Sequence, residues 1–428
     1  MSQLPDGWRE LANEMGIVRP QPAHIGAKVT DIEQALRLVL HYVSGSSLRL
    51  TAAIGAAINV VAISPVALHK WMKRIGPYLT ILLSRMVNGA AFAPEKWAGF
   101  NVIVGDATTV QRPGSKGTTA RVHYALRLAD LSTQHIEVTD ETGGETARRF
   151  RAEPGELWLL DRGYSNPPGV DAIRDRGAHI VVRYNRGTLP VYDDSGKRID
   201  VMALLRSTTG GGQAHERQAF VHFGGKRIMG RLCWLRLPED KAEEARERVV
   251  REMGADCDAE TLCAAEFVVV FTTVQHELSA AQLLELYRAR WQVELDFKRA
   301  KSIRGLDCLP SFLPETIYSW ICAKLLLQLI AMRIASRPVA ASPDSHNSES
   351  SPPSRTRQRR PAAAVAEPWY VAKLVWGVVC SALLPVALHD IPQILDRLVK
   401  HIRRANERQQ RPRQLDVIRQ LLGSCGPN

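Results

Sequence analysis

Val102-Ile103-Val104-Gly105-Asp106 is a short apolar run that ends on an acid, and it marks a change of periodicity in the chain. Before it, residues 1 to about 97 read as helical. After it, residues 121–128 and 134–138 alternate as strands, and residues 139–145 are turn-like. Leu157-Trp158-Leu159-Leu160-Asp161 is a second apolar run ending on an acid. A helical pattern over 168–176 then leads into the apolar run 179–184. Four strands, a helix and a strand predict an α/β core built on a mixed sheet. An acid at the end of a buried strand sits at the rim of the sheet, where substrate reaches it and a cation relieves its charge. A strand-end aspartate also serves as a plain turn cap, so Asp106 and Asp161 each keep both readings.

Further on, residues 187–265 read as an insertion. It holds strand-like runs at 218–223 and 228–236, glycine turns at Gly210-Gly211-Gly212 and Gly224-Gly225, and a charged helical segment at 239–253. Residues 266–274 form one more apolar strand. A helix follows, opening on the capping-box pattern Ser279-Ala280-Ala281-Gln282 and ending before Gly305. Tyr287, Arg290, Glu294 and Lys301 on that helix have the spacing Y-x2-R-x3-E-x6-K. Read as one continuous helix, they fall at about 0°, 300°, 340° and 320°, a narrow stripe. A single ion pair on a helix is usually a solvated face. Four functional side chains on one line, with two cations and an aromatic around one acid, suit a grip on phosphates beside a bound metal.

Asp106, the D-x-G-Y stretch at Asp161 and the Tyr287–Lys301 spacing resemble the bacterial insertion-sequence transposases with a ribonuclease-H-like DDE core, and more narrowly the group with the Y-R-E-K signature. The resemblance covers about residues 100–335. It implies a mixed sheet flanked by helices, with the β-rich insertion between the second and third acids; the helical N- and C-terminal regions are read from the residues themselves. It also implies Asp106, Asp161 and Glu294 as catalytic metal ligands, and Tyr287, Arg290 and Lys301 as DNA contacts. Three converging acids call for divalent cations, and hard oxygen donors favour Mg²⁺ or Mn²⁺, two ions to a site. The expected partners are double-stranded DNA, as terminal inverted repeats and as target, and a second copy of the chain on paired ends. Two alternatives remain: a ribonuclease-H-like nuclease that does not transpose, and an inactive DNA-binding relative.

Composition agrees with a polyanionic partner. The chain has 428 residues and a formal charge of +12, which suits nucleic acid or an anionic membrane surface. Seven cysteines without a C-x-x-C pair argue against a disulfide framework or structural zinc and fit a reducing cytosol; the resemblance adds a bacterial, nucleoid-associated place. The apolar stretches 321–332 and 371–388 fall short of a membrane span and read as core helices. In the N-terminal region, Ser64-Pro65 opens a helix with Leu68, Trp71, Met72 and Ile75 on one face and His69, Lys70, Lys73 and Arg74 on the other. That is either the recognition helix of a helix-turn-helix or a solvated bundle helix. Gly114-Ser115-Lys116-Gly117 reads as a hairpin turn rather than a phosphate loop, and Trp234 as buried core or as a base-stacking wedge. The expected division is 1–97 helical and DNA-binding, 98–186 with 266–335 catalytic, 187–265 insertion, 336–368 disordered basic linker, and 369–428 helical.

Overall fold

The computed structural model describes residues 3–18, 29–57, 60–88, 99–254 apart from 113 and 116, 257–302, 305–310 and 313–335, with Met1 and Trp376 singly. The expected linker at 336–368 and the C-terminal region at 369–428 lie outside the described residues, Trp376 aside. The chain forms two compact units.

Five helices come first: α1 (Trp8–Glu14), α2 (Ile32–Val43), α3 (Leu48–Ala57), α4 (Pro65–Arg74) and α5 (Gly76–Asn88). Then follow β1 (Asn101–Val110), β2 (Ala120–Arg127), β3 (Thr133–Asp140), β4 (Glu156–Leu160), α6 (Pro167–Asp175) and β5 (His179–Arg183). The segment before the last strand supplies α7 (Val201–Ser207), β6 (Ala214–Phe223), β7 (Lys226–Arg236), α8 (Glu239–Met253) and α9 (Ala259–Ala265). Then come β8 (Phe267–Thr272), α10 (Ala280–Arg288), α11 (Trp291–Ser302) and α12 (Pro314–Ala335).

In the helical unit, local chemistry sets the helix starts. Asp31 accepts from Glu33 N to cap α2, and Ser64 accepts from Ala67 N, with Pro65 in the first turn of α4. Leu68, Met72 and Ile75 are buried while Lys70, Lys73 and Arg74 are exposed, and the Arg74 guanidinium lies over the Trp71 ring. Helix α12 is longer than the apolar run alone suggested. Among the described helices it is the one long and apolar enough to cross a membrane, yet 78% of that window is buried inside the protein. It packs on α5, α4 and α2, and Tyr42 meets Trp320 edge-on at 5.0 Å. This is a core helix.

The other unit is one eight-stranded sheet in the order β3-β2-β1-β4-β5-β8-β7-β6. β1, β4 and β5 run parallel, and every other neighbouring pair is antiparallel, so the sheet is mixed as expected. The β6–β7 hairpin pairs along β8 and continues the same sheet. Alternation along the strands sorts side chains into two cores. Ile103, Trp158, Leu160, Ile180 and Val182 face Val170 and Ile173 of α6 and Met202 and Leu205 of α7. Val102, Val104, Leu157 and Leu159 face Leu283, Leu284 and Leu286 of α10 and Val293 of α11. Stretch 114–117 falls between the antiparallel neighbours β1 and β2.

Candidate active site

Asp106 is not at the end of its strand. β1 runs on to Val110, because β2 still pairs with it there. What ends is β4. The parallel register sets Gly105 beside Leu160, the last residue of β4, so Asp106 within β1 and Asp161 just past β4 follow a registered pair. Period-two alternation puts both on the face of Val104 and Leu159, the face that α10 and α11 cover. Gly105 is small for a packing reason: a Cβ there would lie 2.7 Å from Leu160 Cδ2 and 3.0 Å from the Phe150 ring.

The single helix expected over 279–305 is broken. Its capping box is present, with Ser279 Oγ accepting from Gln282 N and Gln282 Oε1 accepting from Ser279 N. But α10 stops at Arg288 and α11 begins at Trp291. Between them Ala289, Arg290, Gln292 and Val293 donate to carbonyls three residues back, the tighter 3₁₀ spacing. The straight stripe is therefore corrected to a corner. Tyr287 is the last residue but one of α10, Arg290 sits in the turn, and Glu294 lies in the first turn of α11.

The corner brings these residues to the two aspartates. Tyr287 Oη donates within 3.2 Å of Leu160 O and 3.3 Å of Asp161 Oδ1. Arg290 Nη1 lies 3.5 Å from Asp106 Oδ2, its Nε 3.9 Å from Asp161 Oδ1, and its Nη2 pairs with Glu294 Oε1. One guanidinium thus pairs with all three acids. Lys301, in the last turn of α11, is grouped with the residues of the other compact unit.

Electrostatics separate the acids. The Asp106 carboxyl is pushed up to about 7, first by burial and further by the charges of Asp161 and Glu145, against the pull of Ala107 N–H and Arg290. An acid whose pKa rises on folding stabilises the protein while protonated, and that contribution fades as pH climbs toward the raised value. In EDTA the protein should therefore lose stability between about pH 4 and about pH 7, on the order of a few kcal/mol. Asp106→Asn should flatten that loss. Urea unfolding at a series of pH values checks it, and an unchanged profile in the variant would contradict the assignment.

Two groups near the acids escaped sequence reading. Glu145, in the turn after β3, bears electrostatically on both Asp106 and Asp161. Arg183, at the end of β5, acts on the charges of Arg162 and Tyr287, and so adds a cation to this rim. Turn composition gave no sign of the first, and the strand pattern hid the second. Trp234 resolves to core: it is 7% exposed, donates to Thr208 Oγ1 at 2.9 Å and stacks on His215.

Among the described residues, no three acids, histidines or cysteines are gathered tightly enough to hold one ion as they stand. The three acids are instead spread around the Arg290 guanidinium. Their chemistry nevertheless fits a hard divalent cation. The donors are carboxylate oxygens, and Asp106 is left with charge that burial opposes. Beside them the Tyr164 hydroxyl is buried without a hydrogen-bond partner.

The family model for the transposase DDE domain matches residues 97–329, which span the whole sheet. The chain is 29% identical over 370 residues to the transposase for insertion sequence element IS421 of Escherichia coli, covering 82% of this chain and 99% of that one. It is 23% identical over 367 residues to the transposase for insertion sequence element IS231F of Bacillus thuringiensis subsp. israelensis, covering 75% and 76%. The chain belongs to the DDE transposases of bacterial insertion sequences. It is an enzyme of DNA cleavage and strand transfer, of a family that works with divalent metal ions, and its mixed sheet with flanking helices is consistent with a ribonuclease-H-like transposase fold.

Proposed function

We propose that Asp106, Asp161 and Glu294 are the metal-binding acids of this transposase, and that Tyr287, Arg290 and Lys301 contact DNA beside them. The observation that carries the reading is the registered pair Asp106 and Asp161 at the end of β4, with Arg290 and Glu294 turned onto it by the α10–α11 corner. Two Mg²⁺ ions, or Mn²⁺, held by these three acids would supply activation of the attacking water or 3′-hydroxyl and charge relief at the leaving oxygen. The chain supplies placement. Tyr287 orients Asp161 through its hydroxyl, and the Arg290 fork, which balances the acids in the free protein, matches the geometry of a phosphate. Arg162 and Arg183 add charge along the same rim for the DNA backbone.

In this reading residues 1–97 bind DNA, 98–186 with 266–335 carry the chemistry, and 187–265 are the insertion. The partners are the terminal inverted repeats and the target duplex. Pairing two ends calls for a homodimer, working on DNA in the bacterial cytoplasm. Full-length protein incubated with DNA bearing the element's own ends and Mg²⁺ is expected to cut at those ends and then join them to a target. Cutting without joining would make it a nuclease. Binding with neither would make it an inactive relative.

A further inference from the structure

We propose that Glu145 is a fourth metal-binding carboxylate of this site, an inference that rests on the metal-dependent reading of Asp106, Asp161 and Glu294. Glu145 lies in the turn between β3 and the 3₁₀ turn Ala147–Arg149. That turn is clamped from both sides. Arg121 Nη1 donates to Gly143 O at 2.9 Å, and Arg149 Nε donates to Gly144 O at 3.0 Å while its Nη1 pairs with Glu137 at 2.7 Å. Gly143 is pressed so closely on Thr139 that a Cβ there would lie 2.0 Å from Oγ1. The two carbonyls just before Glu145 are thus fixed, and with them the backbone from which its side chain starts.

The carboxylate is laid over Gly163, two residues past Asp161. An atom at the Cβ position of Gly163 would lie 2.0 Å from Glu145 Oε2. Gly163 does not have positive φ, so the glycine serves space and not backbone conformation. The glycine of the Asp161-Arg162-Gly163-Tyr164 turn makes room for an acid. Among the described residues that acid receives no hydrogen bond and no ion pair: Arg121 Nη1 and Arg149 Nε donate to carbonyls of its own turn, Arg149 Nη1 pairs with Glu137, and Arg121 reaches Glu145 only through its charge.

A second observation points to a group from outside the chain. Tyr164, next to Gly163, is fully buried, and its hydroxyl has no hydrogen-bond partner. After burial, the charges that act on it most are those of Asp106 and Glu145. Buried hydroxyls are nearly always bonded. A hydrated cation held between the acids gives this one a partner and adds to the Arg121 charge in offsetting the burial of Glu145.

The test is Mn²⁺ titration of the full-length protein without DNA, by calorimetry and by the Mn²⁺ paramagnetic resonance signal. Glu145→Gln is expected to weaken Mn²⁺ binding about tenfold or more, with melting in EDTA unchanged or raised because one repelling charge is gone. Gly163→Ala displaces the carboxylate without removing it and is expected to weaken Mn²⁺ in the same direction. Where Glu145→Gln does not fold, Gly163→Ala carries the test. Wild-type Mn²⁺ affinity in these variants, with affinity lost in Asp161→Asn, overturns the role of Glu145 alone. Wild-type affinity in Asp161→Asn as well overturns the carboxylate site itself.

Discussion

Asp161→Asn is expected to lower Mg²⁺-dependent cleavage of element-end DNA by about 10³-fold or more while leaving binding to those ends nearly unchanged. Asparagine keeps the size and one oxygen of the side chain, so the Tyr287 hydroxyl retains its acceptor and the packing of Leu160 is undisturbed. What disappears is a full negative charge at the most exposed of the three acids, 39% against 16% for Asp106 and 29% for Glu294. Because Arg290 still has Asp106 and Glu294, the corner between α10 and α11 keeps two of its three ion pairs. The loss should therefore appear in turnover and not in folding or DNA affinity. Single-turnover cleavage beside a gel-shift titration separates the two. A variant that keeps a tenth of the wild-type rate would show that Asp161 is not a metal ligand. Asp106→Asn and Glu294→Gln should behave alike.

Phe150→Ala is expected to cost about 3–5 kcal/mol of stability, the usual range for truncating a fully buried phenylalanine. The ring is wholly buried and joins three others: it stacks on Trp158 at 4.9 Å, tilts against Tyr164 at 5.5 Å and meets His135 edge-on at 5.2 Å. It also fills the space that Gly105 leaves open. Removing it unseats residues just before and just after the two aspartates. Chemical denaturation measures the cost, and a loss below about 1 kcal/mol would mean the neighbours close the gap freely. Mn²⁺ affinity should fall as well, because Tyr164 leans on this cluster.

Much of this was legible in the sequence, for identifiable reasons. The apolar runs at 102–106 and 157–161 became β1 and β4 because parallel strands buried on both faces read as continuous hydrophobic stretches. Caps at Ser64 and Ser279 were equally plain, since each uses an oxygen at a fixed offset from a backbone N–H. The break at Ala289–Arg290 was not legible. It carries neither glycine nor proline, the usual signs of a kink, and arises where Tyr287 and Arg290 are drawn to acids far away in sequence. Glu145 was hidden for a similar reason: its neighbours at the site, Gly163 and Tyr164, are set by tertiary packing, which no local pattern records. The extension of β1 past Asp106 depended on β2 as a partner, another long-range fact.

The register of β1 against β4 has a consequence for how this site can fail. The aspartates are side by side only because Val104 and Leu159 beneath them lie on one face of the sheet. A shift of one residue in either strand would turn its aspartate to the opposite face. There is no intermediate alignment with the two acids slightly farther apart. Damage to the ladder beneath should leave each molecule either fully competent or fully silent. A weakened population would then hold fewer working copies, each running at the normal rate.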